Sequence, residues 1–209
     1  MTRTRRLSGL GVGLASFGLL LAGCSDQPAS AAAVVGEQQV SLDEISDQLH
    51  SINDVLGVAS DAVDASLTNA VLRNNVVYEL VEQAAAQAGV EASQTDIDQR
   101  LASQVEFIGS RELLDQQAAQ AGVAPQMVET DIRVSLLAAD LQAELAKGSS
   151  LDEQGQQQAL LTAVQQYSEH VGTTVNPRFG VWDVSSLSIT ADPDAPSAPP
   201  SEIGLTGLQ

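Results

Sequence analysis

Few residues of this 209-residue chain are of types that do covalent or coordination chemistry, and one outranks the rest. Cys24 is the single cysteine and stands directly after Leu21-Ala22-Gly23. Arg3, Arg5 and Arg6 precede it, then an apolar stretch from Leu7 to Leu21. A charged start, a short apolar segment and small residues before a cut between Gly23 and Cys24 make up a secretory signal. The stretch is about 15 residues, whereas a spanning helix needs ~20. With one cysteine, no intramolecular disulfide is possible. The two histidines offer less. Glu169-His170 is a neighbouring pair near an expected helix end, and adjacent helix residues point in different directions, so the pair does not chelate. His170 there suits the negative end of the helix dipole. His50, beside Leu49, reads as a surface or boundary residue. Asp43, Glu44 and Asp47 lie opposite an apolar stripe and read as a solvated face. A glycosidase-like carboxylate pair meets only in the fold, and nothing in the sequence selects one. The serines lack a GxSxG elbow, and no glycine-rich phosphate loop is present. The expectation is a non-enzyme with no catalytic residue, no metal and no cofactor.

All four residues Leu21-Ala22-Gly23-Cys24 match the pattern of the bacterial lipobox, which this segment resembles. The resemblance implies that Cys24 receives a diacylglycerol thioether, becomes the new N-terminus and holds the protein on the extracytoplasmic face of the cell membrane. Charge agrees with attachment by lipid rather than by surface. The chain has 9 basic and 27 acidic residues, and a cut after Gly23 removes the three arginines, so six face 27. Such a surface has no means of neutralising phosphates, which argues against nucleic-acid binding. It is also repelled by anionic headgroups. One acyl chain holds weakly, at ~0.8 kcal/mol per buried CH₂; the lipobox resemblance implies two or three.

The remaining length suits one domain with tails. Residues 24–31 are small and polar and read as a flexible tether. Ala33 to Val40, β-branched and interrupted at Gly36, predicts a short hairpin. Ser41 with Glu44 three residues later forms a capping box. It opens a helix whose Leu42, Ile45, Leu49, Ile52 and Leu56 make one apolar stripe. A second helix is expected from Asp61 to Ala88, with Val71, Val77, Leu80 and Val81 on or near its inner face and Gly89 ending it. Ser93 or Thr95 caps a third, carrying Ile97, Leu101, Val105 and Ile108. A short fourth runs from Ser110 to Gly122. Pro125 opens a fifth, which stops at Lys147-Gly148. A sixth runs from Leu151 or Asp152 to Gly172. The segment AQAGV occurs at 86–90 and again at 119–123, which shared helix-stop chemistry explains as well as a repeat does. Thr173 to Val184 reads as extended chain around an Asn-Pro turn, pairing with the early hairpin because two strands alone are not stable in water. The Pro-rich end, residues 185–209, has no periodicity and reads as a disordered tail. The fold class is therefore mostly α: five or six helices over residues 32–184, with short strands from both chain ends pairing.

This order of elements resembles the N-terminal chaperone module of the SurA and PrsA family of extracytoplasmic foldases. The residues that carry it are Ala33-Val34-Val35-Gly36-Glu37-Gln38-Gln39-Val40 leading into Ser41-Leu42-Asp43-Glu44. The AGV-then-cap punctuation and Val175-Asn176-Pro177-Arg178-Phe179-Gly180 resemble its actinobacterial lipoprotein branch. Isomerase members insert a parvulin domain before the closing strand, but Gly148 to Thr173 here holds one predicted helix. The resemblance thus implies the binding part: a helical cradle for unfolded or exported polypeptides, without catalysis. Phe107, Met127, Phe179 and Trp182 are the candidate client contacts, since aromatics and Met suit adaptable apolar recognition. In a chain with 3% aromatics they also serve as core. The same fold held by a scaffolding lipoprotein for one partner is the alternative, and an isomerase-related foldase a further one.

Overall fold

The computed structural model describes residues 30–59 and 64–193. The signal segment, Gly23, Cys24, most of the tether and residues 194–209 lie outside the described residues. The described chain is mostly α-helical, as expected, with six α-helices and five short strands.

Strands β1 (Ala31–Val35) and β2 (Gln38–Ser41) form the early hairpin. Gly36, at φ 61°, makes its turn. After α6, strand β3 (Thr173–Val175) returns antiparallel to β1, with Ala33 opposite Val175. The order is β2-β1-β3, so the ends of the domain meet in one sheet. The tether expectation fails at its last residue. Ala31 pairs with Ser41 and is fully buried, because the small side chains of β1 fit beneath the helices.

Helix α1 (Leu42–Leu56) starts as the capping box implies, with Ser41 Oγ accepting from the Glu44 amide at 3.1 Å. Helix α2 (Ala65–Gln87) forms the centre of the main core. Its start differs from the expected Asp61: Asp64 is extended and caps the helix through the Leu67 amide. Its innermost residues include Leu72 and Val76, while Val77 is half-buried. Buried Gln48 of α1 and Asn75 of α2 exchange amide hydrogen bonds of 3.0 and 2.9 Å, which satisfies both polar groups.

The other helices are α3 (Gln94–Ile108), α4 (Arg111–Gln120), α5 (Val128–Ala146) and α6 (Glu153–Val171). The AQAGV segments prove to be the same helix stop. Val90 donates to Ala85 O and Val123 to Ala118 O, each at 2.9 Å, with Gly89 and Gly122 left-handed.

The C-terminal region requires two corrections. Residues 173–184 do hold two extended stretches around a turn, as expected, but the second does not join the hairpin. Only β3 joins it; a 3-10 turn, Pro177–Phe179, intervenes before β4 (Val181–Asp183). The disordered-tail expectation for residues 185–209 also fails at its start, because Ser188–Thr190 forms β5 and pairs with β4. Asp183 closes the turn between them, accepting from the Ser185 amide at 2.9 Å and from the Ser185 and Ser186 hydroxyls at 2.7 Å. Leu187, at φ 46°, then turns its buried side chain into the main core, and Arg73 Nε donates to its carbonyl at 2.9 Å. Strand β5 itself holds two β-branched residues, Ile189 and Thr190, but at three residues it is too short to stand out in the sequence; the anchor at Leu187 sets it in place.

Candidate functional site

Apolar residues fall into two clusters. The larger holds the sheet, α1, α2 and parts of α5 and α6. The smaller consists of Ile97, Leu114, Val123, Val128 and Ile132, drawn from α3, α4, the connection after α4 and the start of α5. An open groove of ≈ 610 Å³ lies over this smaller cluster.

Local signals set its walls. Ser93 caps α3, accepting from the Asp96 amide at 3.1 Å and donating to the Asp96 carboxylate at 2.6 Å. Gly109, left-handed, ends α3 with its amide on Val105 O at 2.8 Å. Ser110 caps α4 at once through the Leu113 amide, at 3.2 Å, so the two helices meet at a sharp corner. Only Ile97 of α3 is buried; Leu101, Val105 and Ile108 are partly open. Arg111 braces the lobe, donating to Asp115 at 2.7 Å and to Pro125 O at 3.1 Å.

Phe107 stands in the groove wall, 92% exposed, beside Ile108. Leu113, across the corner, is also exposed. Leu114, Val123 and Val128 provide further apolar lining, and Gln104 and Gln117 uncharged amides. Asp131 lines it too, and its Oδ1 accepts from the Tyr78 hydroxyl at 2.7 Å. Burial, then the bond to Asp131, pushes the Tyr78 hydroxyl well above the ordinary tyrosine range, so it stays a proton donor. Farther along α5, Arg133 lies 3.8 Å from Glu82. Burial raises the Glu82 carboxyl, the Glu79 carboxylate adds to this, and Arg133 opposes both.

The four residues singled out in the sequence do not come together. Phe107 alone is widely exposed. Met127 is half-buried between the two clusters. Phe179 packs on the main core with the Arg178 guanidinium 4.5 Å from its ring centre. Trp182 packs there too, and its Nε1 donates to buried Ser168 Oγ at 3.0 Å. Sequence reasoning missed Asp131 and Tyr78, whose 53-residue separation leaves no local signal. His50 and His170 are both exposed, as are Asp43, Glu44 and Asp47. Among the described residues, no group of three or more His, Cys, Asp or Glu could hold a metal ion, and no helix is long and apolar enough to cross a membrane.

A second apolar groove, of ≈ 450 Å³, runs between α2 and α6. Val77, Val81, Leu160, Leu161 and Leu187 line it below a rim of Gln154, Gln157 and Gln158. It presents no aromatic residue, and its most exposed large apolar side chain is Leu161, at 40%.

Comparison with known proteins agrees with this architecture. The family model for the SurA-like N-terminal domain matches residues 9–142, more than half of the chain, and the match ends within α5. No curated protein and no solved structure matches the chain. With α1 to α5 built as described and that match across them, the chain belongs to the SurA-like N-terminal domain family, which is of chaperone type.

Proposed function

We propose that this protein is a lipid-anchored extracytoplasmic chaperone that binds unfolded or exported polypeptides in the α3–α4–α5 groove, without catalysis. The observation that carries the reading is Phe107, left 92% exposed beside an under-filled apolar cluster. Holding a phenylalanine in water forgoes about 1.5–3 kcal/mol of burial. A client that covers it recovers part of that. An open groove with one aromatic anchor offers reversible binding with Kd on the order of micromolar, since side-chain ordering and lost rotational freedom offset much of the contact energy. The acidic surface keeps a complex with an aggregating client soluble.

The anchor rests on Leu21-Ala22-Gly23-Cys24 and its basic, apolar leader. Under this reading Cys24→Ser shifts the protein from the membrane to the soluble fraction, and continued membrane association contradicts it.

The client-binding reading is tested by light scattering. The full chain is titrated against several unrelated aggregating proteins. Suppression of most of them near equimolar ratio supports the reading, provided that Phe107→Ala loses it with its melting temperature unchanged. No suppression of any client overturns it and points to a dedicated partner.

A further inference from the structure

The charge of the groove is as informative as its apolar walls. Among the described residues that line it, Asp131 is the one that carries a formal charge. It is half-buried in the first turn of α5. The Tyr78 hydroxyl holds Oδ1 at 2.7 Å but brings no positive charge. The arginines of α4 and α5 are engaged elsewhere: Arg111 with Asp115 at 2.7 Å, and Arg133 with Glu82 at 3.8 Å. Among the described residues no ion pair involves Asp131. A carboxylate that lines the groove beside Val128, with no ion-pair partner among the described residues, is left for a guest to satisfy. The remaining 26 acidic residues, against nine basic ones, add a field of the same sign.

We propose, building on the client-binding reading above, that the groove selects polypeptide segments in which a basic residue stands next to an apolar one. The apolar side chain packs on Phe107 and Leu114, and the ammonium or guanidinium group meets Asp131. Segments with an acidic residue at that position are refused, because two carboxylates would share a partly desolvated site. Gln104 and Gln117 supply uncharged amides able to meet the client's backbone whatever its sequence.

The test uses the full chain and three short fluorescent peptides, identical except that one central Phe is flanked by Lys, Gln or Glu, read by fluorescence anisotropy. The Lys peptide is expected to bind about fivefold tighter than the Gln peptide, with the Glu peptide weakest. Asp131→Asn keeps an acceptor for the Tyr78 hydroxyl and removes the charge. It should bring the Lys and Gln peptides to within about twofold of each other. In the wild-type chain, raising salt should erode the Lys advantage, which needs no variant. Equal binding of all three peptides, or a Lys preference that survives in Asp131→Asn, overturns the proposal. If the three bind equally and Phe107→Ala abolishes them all, client binding stands and charge selection falls. If none binds, both fall.

Discussion

Helix α2, of 23 residues, buries ten side chains, from Thr68 to Ala85. Helix α3, of 15 residues, buries one, Ile97. Both are capped helices with apolar residues at helical spacing, so the difference lies in what covers them. The sheet, α1, α5 and α6 all pack on α2, whereas α3 has α4 on one side and the first half of α5 on another. The contrast separates two tasks within one fold. The sheet lobe buries most of the core, joins the two ends of the described domain through β1 and β3, and carries stability. The α3–α4 lobe is held by five buried residues and leaves Phe107 and Leu113 exposed. Sparse burial also makes local opening of this lobe cheaper than global unfolding. Under the proposed client-binding reading, a surface that fits many clients gains from that freedom.

The largest effect separating the two lobes should come from the middle of α2. Leu72 is fully buried, and Leu72→Ala should cost about 2–5 kcal/mol, read by denaturant unfolding, with client affinity unchanged in whatever fraction stays folded. A loss of affinity in that folded fraction would mean the lobes are coupled. Gly180 comes next. It sits at φ 119°, and a Cβ there would collide with the Thr190 carbonyl, so Gly180→Ala should destabilise the β4–β5 pair by about 1–3 kcal/mol. Amide exchange should show the loss near Trp182 and Leu187 and not in α3.

Tyr78→Phe acts at the border between the lobes and should cost about 1 kcal/mol at neutral pH by removing the bond to Asp131. It also carries a pH signature. The Tyr78 hydroxyl titrates above its ordinary value of 10.0 in the folded chain, so the unfolded chain releases this proton first. The associated stability is complete below about pH 10 and is lost as pH climbs beyond it. Unfolding curves across that range should fall for the wild type and flatten in Tyr78→Phe. Phe107→Ala should have the smallest effect on stability, under about 0.5 kcal/mol, because its ring is 92% exposed. Its effect on client binding should be the largest of the four.

Legibility in the sequence followed the same division. Helix starts and stops were readable because their causes are local: Ser41, Ser93 and Ser110 cap their own next turns, and Gly89, Gly122 and Gly172 take left-handed φ just past helix ends. What depends on distant partners was not readable. Val76 and Val77 are adjacent valines, and only the packing of α2 decides that Val76 is buried. β5 exists because Leu187 finds the core and Arg73 meets its carbonyl, 114 residues away in sequence. In the candidate site, residue type picked out Phe107, Met127, Phe179 and Trp182 equally, and only tertiary structure leaves Phe107 open while Trp182 bonds to Ser168. Asp131 looked like one more acid in the first turn of a helix. Its place in an apolar groove, held by Tyr78, is a fact of the fold.

The most direct test is amide hydrogen exchange on the full chain with and without a permanently unfolded client protein. The account predicts slowed exchange over residues 94–131, which span α3, α4 and the start of α5, with β1 and the middle of α2 unchanged. Protection confined to the α2–α6 groove around Leu161 and Leu187, with α3 and α4 unaffected, would contradict it.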